Sequence, residues 1–227
     1  MTLRIFPSEL EAIAFEASRY PYREVGGDLY GLWSSKGIPI ICLAVGPGDN
    51  YSASTAEYEM DIPYMKKCEK YLTDNWGLFY LGDWHSHHML GLEAPSTGDQ
   101  RRIFSIMQRN QFQRMAEIIV THTTESQIHE KINAFVYYDN MLKQSNISLL
   151  AEHESPFRKM LQSRRDGSFI KLINSRIPIN RIDYLSNDTV SSQRDLCKHS
   201  YVNKQGPYSN YNASCVSNDI EEFRIKI

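Results

Sequence analysis

The run Trp84-His85-Ser86-His87-His88 closes an apolar segment, and a short loop later the chain reads Pro95-Ser96-Thr97-Gly98-Asp99. Histidines at i and i+2 of an extended strand project from one face, so both imidazoles can reach a single ion. Asp99 supplies a third donor. Two neutral imidazoles and a carboxylate hold Zn²⁺ with one position open to water, as in a catalytic centre and unlike a closed structural one. Each part also has an ordinary alternative. An HxH can be a plain strand end, and Ser96 can be an N-cap with Asp99 in the first helical turn. Their conjunction points to metal chemistry.

A hydrolytic centre also needs a carboxylate to handle the water proton. Glu24 is the candidate, because it precedes Val25-Gly26-Gly27-Asp28-Leu29-Tyr30-Gly31, whose glycines allow close approach of a neighbouring strand. Spacing alone does not single it out from 27 acidic residues. His88 points opposite to His87 on a strand and reads as a surface or supporting residue, and His122 and His129 are treated in the same way. Asp83 could hold an imidazole or simply face solvent at a strand end. Asp28 is a weaker candidate, and Glu93, between the ligands, could meet a substrate. Tyr22, Tyr30, Tyr51, Tyr58 and Tyr80 suit either a protein-binding groove or the core.

These residues need a frame. Ser8 and Glu11 have the form of a capping box, which predicts a helix over Glu9 to Arg19. Leu29 to Trp33 and Ile38 to Val45, split by Ser34-Ser35-Lys36-Gly37, predict a hairpin. A second helix is expected from Ile62 to Asp74 and a buried central strand over Leu78 to Trp84, ending at the HxH. Ser96 and Asp99 cap a third helix reaching Arg109. Met115 to Thr121, Ile132 to Tyr138 and Ser145 to Leu150 read as strands, and Ser155-Pro156 opens a short helix. From Ser186 to Asn218 the chain is rich in Ser and Asn without an apolar period, as in an irregular tail.

With 227 residues, 41% of them hydrophobic, the chain can bury a sizeable core. A net charge of −2 gives no field toward nucleic acid or an anionic membrane, so neither is expected as a partner. Ile38 to Val45 is too short for a bilayer and carries Pro39, and the first residues lack a signal peptide's apolar stretch, so the expected location is the cytoplasm. Cys42, Cys68, Cys197 and Cys215 show no CxxC spacing, which argues against a disulfide framework or thiolate zinc cage.

The joint pattern of Glu24-Val-Gly-Gly-Asp-Leu-Tyr-Gly, His85-Ser86-His87 and Ser96-Thr-Gly-Asp99 resembles the JAB/MPN metalloproteases, whose JAMM motif is a remote Glu, an HxH, a loop and SxxD. Tyr80-Leu-Gly-Asp-Trp-His-Ser-His, with Gly46-Pro-Gly-Asp upstream, is similar to prokaryotic members found beside bacterial ubiquitin-like conjugation systems. The resemblance covers roughly residues 5 to 155. It implies an α/β fold, an α-β-α sandwich of the cytidine-deaminase-like kind around a mixed sheet. Residues 1–155 would form the metalloprotease domain and 156–227 a partly irregular C-terminal extension. Carried over residue by residue, it implies one Zn²⁺ per chain on His85, His87 and Asp99, Glu24 as general acid/base and Ser96 as oxyanion donor.

Two departures stand out. His88 occupies the place of the family's usual Pro, and the loop to Ser96 is one residue longer, which affects loop shape more than ligand identity. The implied activity is cleavage after the C-terminal glycine of a ubiquitin-like protein, by deconjugation or precursor processing, with E1-like and E2-like partners in an antiphage operon. Gly46 to Tyr58 and Met89 to Ala94 are the loops expected to grip such a substrate. Three alternatives stay open: a protease releasing sulfur-carrier proteins, a non-catalytic scaffold, and a DNA-associated branch sharing HxH…SxxD.

Overall fold

Helix signals near the middle of the chain are met closely. In the computed structural model, which describes residues 1–53, 58–87, 91–123 and 129–186 together with backbone at 201–202 and 212–213, the order begins with β1 (Thr2–Ile5) and α1 (Pro7–Ser18). The hairpin β2 (Gly26–Trp33) and β3 (Pro39–Ala44) follows, then a small ribbon of β4 (Ser52–Ala53) and β5 (Tyr58–Glu59), α2 (Ile62–Trp76), β6 (Phe79–Ser86) and α3 (Thr97–Asn110). Next come β7 (Arg114–Thr123), β8 (His129–Tyr138), β9 (Met141–Leu149) and α4 (Pro156–Ser163). A 3-10 turn (Ile179–Arg181) leads into β10 (Ile182–Tyr184), and β11 (Tyr201–Val202) pairs with β12 (Asn212–Ala213).

Local chemistry sets the helix ends. Asp61 caps α2 by accepting from the Tyr64 amide, and Gly77 ends it in the left-handed region at φ 62°, where a side chain would be strained. Asp61 also accepts from the amides of Asp49 and Asn50, which fastens the Gly46–Asn50 loop to the start of α2. The expected capping box of α1 does not form. Pro7 starts the helix one residue before Ser8, so Ser8 lies inside the first turn and donates to Glu9 instead. Glu11 instead accepts from the Ile179 amide.

The expected α-β-α sandwich around an open sheet is overturned by the strand pairing. β9 joins two edges that such a sheet would leave free: Met141–Ser145 pair with Tyr138–Ala134 of β8, and Asn146–Leu149 run parallel to Thr2–Ile5 of β1. With β1 on β3, β3 on β2, β2 on β6, β6 on β7 and β7 on β8, the ring closes as a mixed barrel of seven strands. β10 fills the place where β8 and β9 part, pairing with Glu130–Ile132 while the Leu185 carbonyl accepts from the Ile147 amide. Closure removes most free sheet edges.

α1 touches β3 on one side of the ring and β6, β7 and β8 on the other, so it runs along the inside and is buried almost all round. Leu3, Ile13, Leu29, Trp84 and Ile118 belong to this inner core. α2 and α4 cover a second cluster with Tyr30, Leu43, Leu72 and Phe157. α3 covers a third over β7 and β8, with Ile103, Met107, Ile119 and Phe135. Among the described residues no helix is long and apolar enough to cross a membrane.

Candidate metal centre

β6 lies between β2 and β7, with His85 opposite Gly26 across the antiparallel pair and beside Ile119 across the parallel one. Trp84 points into the inner core and its Nε1 donates to the Val45 carbonyl at 2.9 Å. Its cross-strand partner is Gly27, where an added Cβ would collide with that same carbonyl oxygen. Alternation along the strand then turns His85 to the opposite face, under α3. The extended course continues one residue past β6, because the His87 amide donates to the Val120 carbonyl.

One donor atom each from His85, His87 and Asp99 fall within 4.8 Å of one another. His85 Nε2 and His87 Nε2 are 3.0 Å apart, and the Asp99 carboxylate oxygens stand 3.6 Å from the first and 3.3 Å from the second. His87 Nδ1 donates to the Leu92 carbonyl at 2.7 Å, which leaves Nε2 for the cluster. Both histidines are buried and Asp99 is partly so. The set therefore fits a divalent ion, and its N₂O chemistry suits Zn²⁺ and other transition ions alike.

Protonation reflects the clustering. Burial opposes the charged form of His87, yet Asp99, the Leu92 carbonyl and Glu24 outweigh it and raise its pKa. Burial likewise opposes the Asp99 anion, but the two imidazoles hold its carboxyl far below the usual carboxylate range. The α3 capping box positions Asp99: its Oδ2 accepts from the Ser96 amide at 2.7 Å, and Ser96 Oγ accepts from the Asp99 amide at 3.2 Å. Oγ thus acts as an acceptor inward and keeps its proton for a donor role outward.

Glu24 is partly buried just before β2, and its charge is felt at His87. Ser86, between the two histidines, explains the placement. Its amide donates to the Val25 carbonyl at 2.8 Å while its Oγ accepts from the Val25 amide at 3.1 Å. This double bond clamps the residue after Glu24 onto the HxH, a role the sequence reading did not assign.

Asp28, Asp83 and Glu117 form a row of buried carboxylates across β2, β6 and β7. Asp83 holds no imidazole. It accepts from Tyr80 and from Arg102 of α3, a helix it thereby ties to the sheet. The carboxylate facing His85 is Glu117, with Oε1 3.7 Å from Nδ1. Sequence reasoning missed it, although a lone acid inside Met115-Ala116-Glu117-Ile118-Ile119 is itself a signal. Burial raises the Glu117 pKa, and burial together with the Asp83 charge raises that of Asp28, whose oxygen accepts from Tyr30 at 2.8 Å.

Other candidates fall outside the cluster. Glu93 is exposed and pairs with Lys131 at 2.6 Å, while His122 is buried against Glu130. Tyr22 is exposed, and Tyr51 stacks edge-on against Tyr20. Cys42 and Cys68 are buried free thiols. His88, Met89 and Leu90, residues 54–57, the side chains of Tyr58 and His129, and Cys197 and Cys215 lie outside the described residues. A cleft of about 540 Å³ opens beside Gly46, Pro47 and Tyr51, against Tyr20 and Lys171. A larger one, about 1090 Å³, lies at the far end of α3 near Gln111 and Asn140, away from the site residues.

No family model matches the chain. It is similar to a probable metalloprotease, y4qB, of Sinorhizobium fredii (strain NBRC 101917 / NGR234), with 26% identity over 102 residues. That match takes in 44% of this chain and 62% of the relative, so the chain spans less than two thirds of the relative's length. The solution structure of protein DSY2949 from Desulfitobacterium hafniense matches with a TM-score of 0.52 and 21% identity, over 66% of this chain and 94% of that one, a likeness in fold alone. A protein from Salinibacter ruber (strain DSM 13855) matches at a TM-score of 0.43 and 16% identity, over 65% and 92% of the two chains.

Proposed function

We propose that the chain is a zinc-dependent peptidase of the JAB/MPN type, with one ion per chain on His85, His87 and Asp99, that cleaves after the C-terminal glycine of a ubiquitin-like protein. The observation that carries this reading is the convergence of those three donors, with Val25, the residue after Glu24, held onto Ser86 between the two histidines. The likeness to a probable metalloprotease supports it at the level of peptidase chemistry. The reading rests on these residues and not on the architecture expected from sequence.

A bound zinc would polarise the scissile carbonyl and acidify the attacking water. Glu24 takes the water's proton on its carboxylate and delivers it to the departing amine. Ser96 Oγ donates to the carbonyl oxygen as it gains negative charge, and loss of one such donor typically costs about 10²–10³ in rate. A tail ending in glycine carries no bulk at the scissile bond and can lie extended in a narrow groove. Residues 1–155 then carry the chemistry, and the extension braces them through Arg158 on Glu9. Conjugates made by E1-like and E2-like enzymes are the proposed physiological substrates.

The test is incubation of the zinc-loaded protein with ubiquitin-like and sulfur-carrier proteins, each fused at its tail to a reporter, followed by intact mass measurement. Release of a ubiquitin-like product ending at glycine, absent with Glu24→Gln, is expected. Cleavage of the sulfur-carrier fusions alone would overturn the substrate class.

A further inference from the structure

Behind the cluster, two buried polar atoms face each other at 3.7 Å, and neither has a hydrogen-bond partner among the described residues: His85 Nδ1 and Glu117 Oε1. Unpaired buried polar atoms are rare enough to need a reason. The neighbouring bonds supply one. His87 donates from Nδ1 to Leu92, so in its neutral form Nε2 can only accept. With both rings neutral, His85 Nε2, 3.0 Å away and also facing Asp99, is the donor and His85 Nδ1 is bare. Two acceptors therefore stand opposed, which keeps them beyond hydrogen-bond distance.

Ligation would reverse this arrangement. With Nε2 of His85 given to a metal ion, the ring proton would reside on Nδ1, aimed at Glu117. Glu117 is prepared to receive it. Its carboxylate is fully buried, its Oε2 accepts from Tyr137, and Arg102 Nη2 stands 3.6 Å from Oε1. Arg102 belongs to the helix that carries Asp99, one turn along.

We infer that Glu117 is a positioning residue for the metal centre, accepting a hydrogen bond from His85 Nδ1 and so fixing the tautomer and ring angle in which Nε2 ligates. This rests on the metal reading proposed above. Glu117 touches neither substrate nor the reacting atoms; it acts through His85.

The experiment measures Co²⁺ and Zn²⁺ affinity by chelator competition, with the visible spectrum of the Co²⁺-loaded protein. The proteins compared are wild type, Glu117→Gln, Glu117→Ala and, as a control for altered packing under α3, Ile103→Val. Glu117→Ala is expected to bind metal about 10–100-fold more weakly and to shift the Co²⁺ bands. Glu117→Gln keeps the size and an acceptor oxygen but not the charge, so it falls between, and it carries the test if the alanine variant does not fold. Ile103→Val should match wild type in affinity and spectrum. Glu117 variants with wild-type affinity and an unchanged spectrum would overturn the inference while leaving the metal reading intact. A wild-type protein that takes up neither ion would overturn both.

Discussion

Asp99 and Arg102 stand one turn apart on α3 and grip β6 at two levels, Asp99 at His85 and His87 and Arg102 at Asp83. The helix that brings the carboxylate donor is thus pinned to the strand that brings the imidazoles. Registration of the cluster depends on a charge pair as well as on the α3 capping box.

Arg102→Met would leave the Asp83 anion buried with Tyr80 as its remaining side-chain donor. Breaking a fully buried pair usually costs ~3–5 kcal/mol; here about 2–3 kcal/mol is expected, because the Arg102 side chain is 35% exposed. Denaturant unfolding measures the loss, and the double variant Asp83→Leu/Arg102→Met should recover part of it. Strict additivity of the two single losses would contradict a direct pair.

Asp28 predicts a pH dependence. Burial and the Asp83 charge opposite it raise its carboxyl well above the ordinary value. Above about pH 3.9 the unfolded chain releases this proton while the folded chain keeps it. Stability contributed by the group is therefore full below that pH and falls as pH rises through the raised folded value. Denaturant midpoints of Asp28→Asn should decline less than those of wild type across that window. Parallel profiles would refute the assignment.

The pair of Glu9 and Arg158 is wholly buried and bidentate, and Glu9 also accepts from the Ala44 amide. It joins α4 to α1 and β3. Arg158→Met should cost about 3–5 kcal/mol, since Glu9 would keep its charge without its cation. Thermal melting reads this as a large drop in midpoint, whereas a shift of a degree or less would contradict a stabilising role for the pair.

Much of the centre was legible because it is written locally. The α3 capping box, the strand ending at HxH and the hairpin of β2 and β3 all show in short windows of sequence. β1 was missed: four residues alternating half-buried and buried make too short a pattern. Barrel closure was missed because it joins Thr2 to Asn146 and depends on β9 changing partners between Ser145 and Asn146, which no local period records. Asp83 was seen but misread, since a cation one helix away decides its role. Glu117 was legible only as an anomaly, a carboxylate in an apolar strand whose partner is distant in sequence.

The central claim is that His85, His87 and Asp99 hold one metal ion and Glu24 does not. Metal content per chain after zinc loading and gel filtration tests it most directly. About one zinc per chain is expected for wild type and for Glu24→Gln, and little or none for His85→Ala or Asp99→Ala. Wild type emerging metal-free, or Asp99→Ala retaining a full equivalent, would contradict the account.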